Sequence, residues 1–433
     1  MKMKNLALSI YFFLQINFLN ASELLNYLES AYNKNPLLNS QRESLKATQE
    51  NINISISKFL PEVSISGSQS SQQNRNQTDK SGNKLSDSNT NTYSESISID
   101  QKIFQGFDGY NSFKKSQIEV EKAKYELKDI EQKTLLNSAT AYYDLKFKTE
   151  SKTINKDNVN LFERQVETDR SRLQKGEITL IDLSQSESSL ADAMAKLITA
   201  ETELATAKTN FERIVRMTPP EVVKDDYLFD ISLPKNLISA LSLSEKNNPK
   251  LVLAKLNFEI AEKEVKIEKG QFSPSASVNY TQSKNENDFS STVDDTDQET
   301  FKATITWPLF KGGENYSSLK KAKFKKEQKS LILKDTINEV KTDTANAWSI
   351  YKSSAGVLKS TQAAVKAAEI ANEGITLEYD SGNKRTTLEV IQSRSLLLNN
   401  RINNAKAERD FIVSKFKLLS VLGELTLSNL KNS

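Results

Sequence analysis

The chain has no cysteine and no histidine among its 433 residues. That removes disulfides, thiolate and imidazole chemistry, and the side chains most metal centres use. Glycine and proline are scarce, at 12 and 8, so little interrupts long elements. Charge of one sign is lacking too: the net is +3, so no nucleic-acid partner is expected. Past the N-terminus no stretch stays apolar for 18 residues, which excludes a membrane-spanning helix. Nowhere do a base, a nucleophile and an oxyanion donor sit at related spacings, so the chain reads as a non-enzyme without cofactor or metal.

The N-terminus reads as a secretory signal over residues 1–21. Lys2 and Lys4 precede an apolar run from Leu6 to Leu19, and Asn20-Ala21 leads into polar Ser22-Glu23. An exported chain without spanning helices, disulfides or a lipid-accepting cysteine can enter a membrane only as β-strands.

The remaining sequence is doubled. Asn35-Pro36 recurs as Asn248-Pro249 and Pro61 as Pro274, while Ile103-Phe104-Gln105-Gly106 pairs with Leu309-Phe310-Lys311-Gly312 and Gly176 with Gly382. The spacings predict a first copy over 22–217, with helices in 23–59, a β-hairpin over 61–105, a long helix over 108–175 and a helix over 179–217. A linker over 218–236 follows, with Tyr227, Leu228, Phe229 and Ile231 as a short strand. The second copy covers 237–423: helices in 237–272, a hairpin over 274–310, a long helix over 314–380 and a helix over 386–422. The tail, 424–433, frays or wraps the linker region.

Two periodicities carry these assignments. Val63, Ile65 and Gly67 alternate with serines, a polar stretch runs from Gln69 to Thr92, and alternation resumes at Tyr93, Ile97 and Ile99. The second copy repeats this with Ala276, Val278 and Tyr280, then Phe301, Ala303 and Ile305. In 179–217, Leu183, Leu190, Leu197, Leu204 and Phe211 recur every seven residues, with Ser186, Ala193, Ala200, Ala207 and Ile214 in the second seam position. The seam of the second copy is weaker, and Asn404 breaks the series Val390, Leu397, Phe411 and Leu418.

Both turns between the long helices have one chemistry. Gly176 and Gly382 supply the positive φ of a helix C-cap, and Thr179 with Asp182 and Thr386 with Glu389 have capping-box spacing. Capping alone accounts for both carboxylates. The fold class is therefore an α+β membrane protein of two tandem repeats. Four strands cannot close a barrel, so three chains would build a twelve-stranded β-barrel continued by a long α-helical coiled-coil barrel.

In this order, and doubled, these features resemble the TolC family of outer-membrane efflux proteins, in its non-lipidated branch. The Asn-Pro pairs, the run Pro308 to Gly313 and the Gly-x-x-Thr-x-x-Asp tip from Gly176 to Asp182 carry the likeness. It implies a homotrimer in the outer membrane of a Gram-negative cell, in contact with outer-membrane lipid, with its helices in the periplasm. It also implies a passive exit duct of a tripartite efflux pump or type I secretion system. Its partners would be a periplasmic adaptor and an inner-membrane pump of RND or ABC type, docked at the tip turns Gly176, Thr179, Gly382 and Thr386. Tyr379 and Arg385 match the family's entrance-holding tyrosine and arginine if one residue of Asn383-Lys384 is an insertion. Asp182 and Glu389 match acidic positions there, whereas Gln392 stands where the family often has an aspartate.

Trp307, Phe104 and Phe310 fall at strand ends, where an interfacial aromatic girdle is expected. The acidic group Glu286, Asp288, Asp294, Asp295, Asp297 and Glu299 reads as a solvated loop. The lysines from Lys320 to Lys329 read as the wet face of a helix. The competing reading is a periplasmic coiled-coil scaffold without a pore, which fits the heptads but has no use for the alternating strands.

Overall fold

The computed structural model describes residues 23–221, 233–286, 295–381 and 385–431. The signal segment, the strand expected around Tyr227, the C-cap at Gly382, the Asn383-Lys384 insertion, and Asp288 and Asp294 lie outside the described residues. The elements are α1 (Glu23–Lys34), α2 (Pro36–Ser57), β1 (Glu62–Asn74), β2 (Ser88–Gln105), α3 (Asp108–Gln174) and α4 (Leu180–Val215). The second set is α5 (Leu237–Asn247), α6 (Pro249–Gly270), β3 (Ser275–Glu286), β4 (Asp295–Thr306), α7 (Glu314–Asp380) and α8 (Thr387–Leu422), with a short α9 (Leu427–Lys431) at the end. The doubling is quantitative: α3 and α7 each have 67 residues, and α4 and α8 each have 36.

The Asn-Pro pairs are helix starts. Asn35 Oδ1 accepts the Leu37 and Leu38 amides at 2.9 and 3.2 Å, and Asn248 Oδ1 accepts those of Lys250 and Leu251 at 2.9 and 3.3 Å. In each case proline fills the first helical position, where its missing N–H costs nothing. Where β2 passes into α3, Gly106 has φ +61° and meets the end of α6 so closely that a Cβ would lie 2.3 Å from the Gly270 carbonyl oxygen. Only glycine permits that backbone crossing.

The chain divides into two bodies. The first comprises the described residues within 23–42, 125–252 and 335–431. Its main core is aromatic: Tyr27 of α1 packs edge-on against Phe211 of α4 at 5.1 Å and lies 5.8 Å from Tyr142 of α3, with Phe416 of α8 in the same cluster. Farther along, Val159 and Phe162 of α3 meet Ala193 of α4, where the small seam residue lets the helices approach. The weak seam position of the second copy is satisfied, since Asn404 accepts from the Thr361 hydroxyl at 3.1 Å and donates to Glu408 at 2.9 Å. The described part of the tail folds into α9 at 427–431 rather than fraying: Leu425 and Leu430 are buried, and Lys431 pairs with Glu29 of α1 at 2.7 Å.

The second body comprises 43–124 and 253–334 and carries one antiparallel sheet in the order β1-β2-β3-β4. The strands reach farther than the hydrophobic alternation indicated: β1 continues to Asn74 and β2 begins at Ser88, inside the stretch read as loop. The reason is that the ladder needs only backbone groups, and polar cross-strand pairs such as Ser71 with Asn89 at 3.4 Å support it as well. Period-two hydrophobicity cannot register such residues.

Candidate functional site

Two regions stand out, the helical tips in the first body and one face of the sheet in the second.

At the first tip, α3 ends in Gly176 with φ +75°, and Glu177 N–H reaches back to the Arg172 carbonyl at 2.9 Å. The next helix opens with a complete capping box. Thr179 N–H donates to Asp182 Oδ2 at 2.9 Å, and Asp182 N–H donates to Thr179 Oγ1 at 3.3 Å. The second tip repeats it, with Thr386 N–H on Glu389 Oε2 at 2.8 Å and Glu389 N–H on Thr386 Oγ1 at 3.3 Å. These bonds hold both carboxyls below their usual range: the Thr179 hydroxyl and then its amide act on Asp182, and the Thr386 amide and then Arg385 on Glu389.

The sequence-derived entrance residues separate into two groups. Arg385 is exposed and stays within its own hairpin, bonded to Glu378 at 2.6 Å and to Glu389 at 3.0 Å. Gln392 is exposed on α8. Tyr379 is different: it is 3% exposed, and its hydroxyl donates to Asp169 Oδ1 at 2.9 Å, with Thr387 Oγ1 3.1 Å away. Burial pushes its phenol above the ordinary value, and the neighbouring Asp169 adds to that.

Asp169 was not among the residues singled out from the sequence. It is 0% exposed, and besides Tyr379 it accepts from Ser186 Oγ of α4 at 2.5 Å and from Gln165 Nε2 of its own helix at 2.8 Å. One carboxylate thus joins α3, α4 and α7, and Tyr379 carries the connection on to α8. The guanidinium of Arg172 lies over the Tyr379 ring, 4.6 Å from its centroid. Arg394 of α8 is near, feeling the charges of Asp380 and Asp169, while its Nη1 is shut off from solvent without an acceptor. Burial there disfavours its charged form. A signal for Asp169 did exist. Val159, Phe162, Val166 and Asp169 follow one buried seam of α3, so an acid occupies a position that the pattern reserves for an apolar residue.

The sheet has two chemically distinct faces. Across all four strands Val63 pairs with Ile99, Ile99 with Tyr280 and Tyr280 with Phe301, making one apolar row. Nearer the helices, Ala276 pairs with Ile305, which is 78% exposed. The opposite face carries Ser64, Ser98, Thr281 and Thr300. Above the apolar rows the first face turns polar at Glu95, Lys284 and Asp297. Of the strand-end aromatics, Phe310 is 84% exposed, Trp307 is exposed while its Nε1 donates to the Phe272 carbonyl at 3.1 Å, and Phe104 packs edge-on against Phe107 at 5.3 Å. An apolar row open on one face with hydroxyls on the other is the pattern of a sheet with lipid on one side and water on the other. Among the described residues no helix is long and apolar enough to cross a membrane, and no group of acidic residues could hold a metal.

Known proteins share this layout. The profile of the outer membrane efflux protein family matches residues 27–215 and 240–424. The chain is 24% identical over 408 residues to the outer membrane efflux protein BepC of Brucella suis, covering 93% of this chain and 86% of that one. It is 21% identical over 429 residues to the outer membrane protein TolC of Escherichia coli, covering 95% and 84%. In fold it is similar to the outer membrane channel CmeC of Campylobacter jejuni, with a TM-score of 0.81 at 16% identity over 93% of this chain and 86% of that one.

Proposed function

The chain belongs to the outer membrane efflux protein family and is an outer-membrane exit duct for efflux with its helical part in the periplasm, and from that premise we propose that the duct is closed at the helical tips. The observation that carries this reading is the Tyr379 to Asp169 hydrogen bond, which joins the hairpin of one copy to that of the other. Withdrawing it frees α7 and α8 from α3 and α4 at the tips. Arg385, bonded to both Glu378 and Glu389, stiffens the second tip. Asp182 and Glu389 cap helices first and add negative charge to the entrance second, with Gln392 leaving that entrance less acidic.

The assembly is a homotrimer. β1 and β4 each leave an edge that no other described strand covers, and three such sheets give twelve strands closed in lipid. Trp307, Phe104 and Phe310 lie at the lipid boundary. The tip turns at Gly176, Thr179, Gly382 and Thr386 dock a periplasmic adaptor that links the duct to an inner-membrane pump of RND or ABC type. Leu180 and Ile181, exposed side by side at the first tip, supply an apolar contact for it. The duct is passive and the pump selects the cargo, a drug in a tripartite pump or a protein in a type I system. A coiled-coil scaffold has no use for the exposed Val63 to Phe301 row.

The test is planar-bilayer recording of purified protein. Tyr379→Phe combined with Arg385→Ser is expected to raise the conductance of the closed channel, and unchanged conductance would remove these residues from the gate.

A further inference from the structure

Tyr379 and Arg394 lie on the same hairpin of the second copy, one at the end of α7 and the other in the second turn of α8, where Arg394 lines a crevice against Asp157, Asn158 and Leu161 of α3, the helix that carries Asp169. Tyr379 is bonded to that carboxylate. Arg394 acts on it only through space, with Nη1 dry and unpaired. A buried donor without an acceptor is an unfavourable arrangement that a small shift can relieve. The carboxylate, by contrast, is saturated in this state, held by a phenol, a hydroxyl and an amide.

We infer that Asp169 is a two-position latch, holding Tyr379 in the closed tip and passing to Arg394 when α7 and α8 move against α3. The inference rests on the tip-gate reading and adds to it the residue that stabilises the open state. The exchange replaces a hydrogen bond from a neutral phenol with an ion pair, and it supplies the missing acceptor for Arg394 at the same step. Arg172, stacked on the Tyr379 ring, loses its partner then and turns to solvent. Ser186 and Gln165 keep their bonds throughout, because both belong to the first copy and stay with Asp169. Asp157 of α3 lines the same crevice as Arg394, and the charge of Asp380 also reaches Arg394 but moves with the second hairpin. An Arg394 to Asp380 contact would therefore add nothing to opening.

The experiment uses the full-length protein in planar bilayers and reads open probability for single and paired variants. Tyr379→Phe weakens only the closed position and should raise open probability about tenfold, the size expected for losing a hydrogen bond to a charged group. Arg394→Gln weakens only the open position and should lower it by a similar factor, with Arg394→Lys between Arg394→Gln and the unmodified channel. In an Asp169→Ala background both effects should shrink to less than about twofold, since the shared acceptor is gone. A purely packing role for Arg394 predicts the opposite, equal effects with or without the Asp169 charge. An Arg394→Gln channel that opens as often as the unmodified one, or more often, overturns the latch. If Tyr379→Phe raises open probability while Arg394→Gln changes nothing, the gate stands and only the latch falls. If neither Tyr379→Phe nor its combination with Arg385→Ser changes anything, the gate reading itself falls and takes the latch with it. Trimer assembly is checked for each variant, and Arg394→Lys carries the test if Arg394→Gln fails to assemble.

Discussion

The two helical tips are built with the same cap and differ in how each reaches beyond its own hairpin. Each opens its second helix with threonine and an acid three residues later, and the paired distances agree to 0.1 Å: 2.9 and 3.3 Å in the first, 2.8 and 3.3 Å in the second. The first hairpin then bonds internally, with Ser186 of α4 on Asp169 of α3. Both carry ion pairs, Arg170 with Glu187 and Arg172 with Glu177 in the first and Arg385 with Glu378 and Glu389 in the second, but the second also sends Tyr379 out to the first. Duplication evidently constrains the turn, where backbone N–H groups must be satisfied whatever the neighbours are. The side chains one or two turns away from it are free to diverge, and there one copy became the holder and the other the held.

Four expected outcomes would break or sharpen that contrast. The largest belongs to Asp169→Ala, which strands Tyr379, Ser186 and Gln165 at once. The local loss should be on the order of 3 kcal/mol, seen by hydrogen exchange as faster opening of both tips. Exchange that rises at the first tip alone would mean the Tyr379 bond contributes little. Next come the caps: Thr179→Ala and Thr386→Ala should each cost about 1 kcal/mol, confined to their own hairpin and equal within error. A clear inequality in tip exchange would show that the likeness of the two boxes is geometric only.

A pH effect follows in size. Asp182 and Glu389 have folded values below their unfolded ones, so their stabilisation is fully present above the unfolded carboxylate range, about 4. It is lost as pH falls through the lowered folded values. Cleavage of the tips by an acid-active protease should therefore stay slow at about pH 5 and accelerate in both hairpins below about pH 4. Acceleration beginning near neutral pH would point to a different group. Smallest of all, Arg385→Ser should leave the thermal melt unchanged and raise exchange in the second tip only, an effect that high salt erases in the parent.

Much of this was legible because it is periodic or local. The heptads of α4, the alternation at Val63 and Ile65, the Asn-Pro starts and both capping boxes each depend on residues within a turn or two of one another. What escaped was what periodicity cannot carry. The ends of β1 and β2 are polar and held by backbone ladders, so the hairpin loop is shorter than hydrophobicity implies. Asp169 reads as one more charge on a long charged helix, and its partner Tyr379 is 210 residues away. The resemblance to a family pointed at the tyrosine but not at this carboxylate. Only the seam through Val159, Phe162 and Val166 gave it away, and only if the polar member of an apolar series is taken as the informative one.

The equal lengths of the paired helices, 67 and 36 residues in both copies, make length itself a shared property of the two halves. Removing one heptad from α3 and α4 would draw the first tip back by roughly 10 Å and leave Tyr379 opposite a different layer, with Asp169 out of its reach. The same removal from all four helices would shorten the protein and keep the pairing. Insertions and deletions in such chains are then tolerated as matched sets, and an unmatched one would show itself at the tips however far away it occurred.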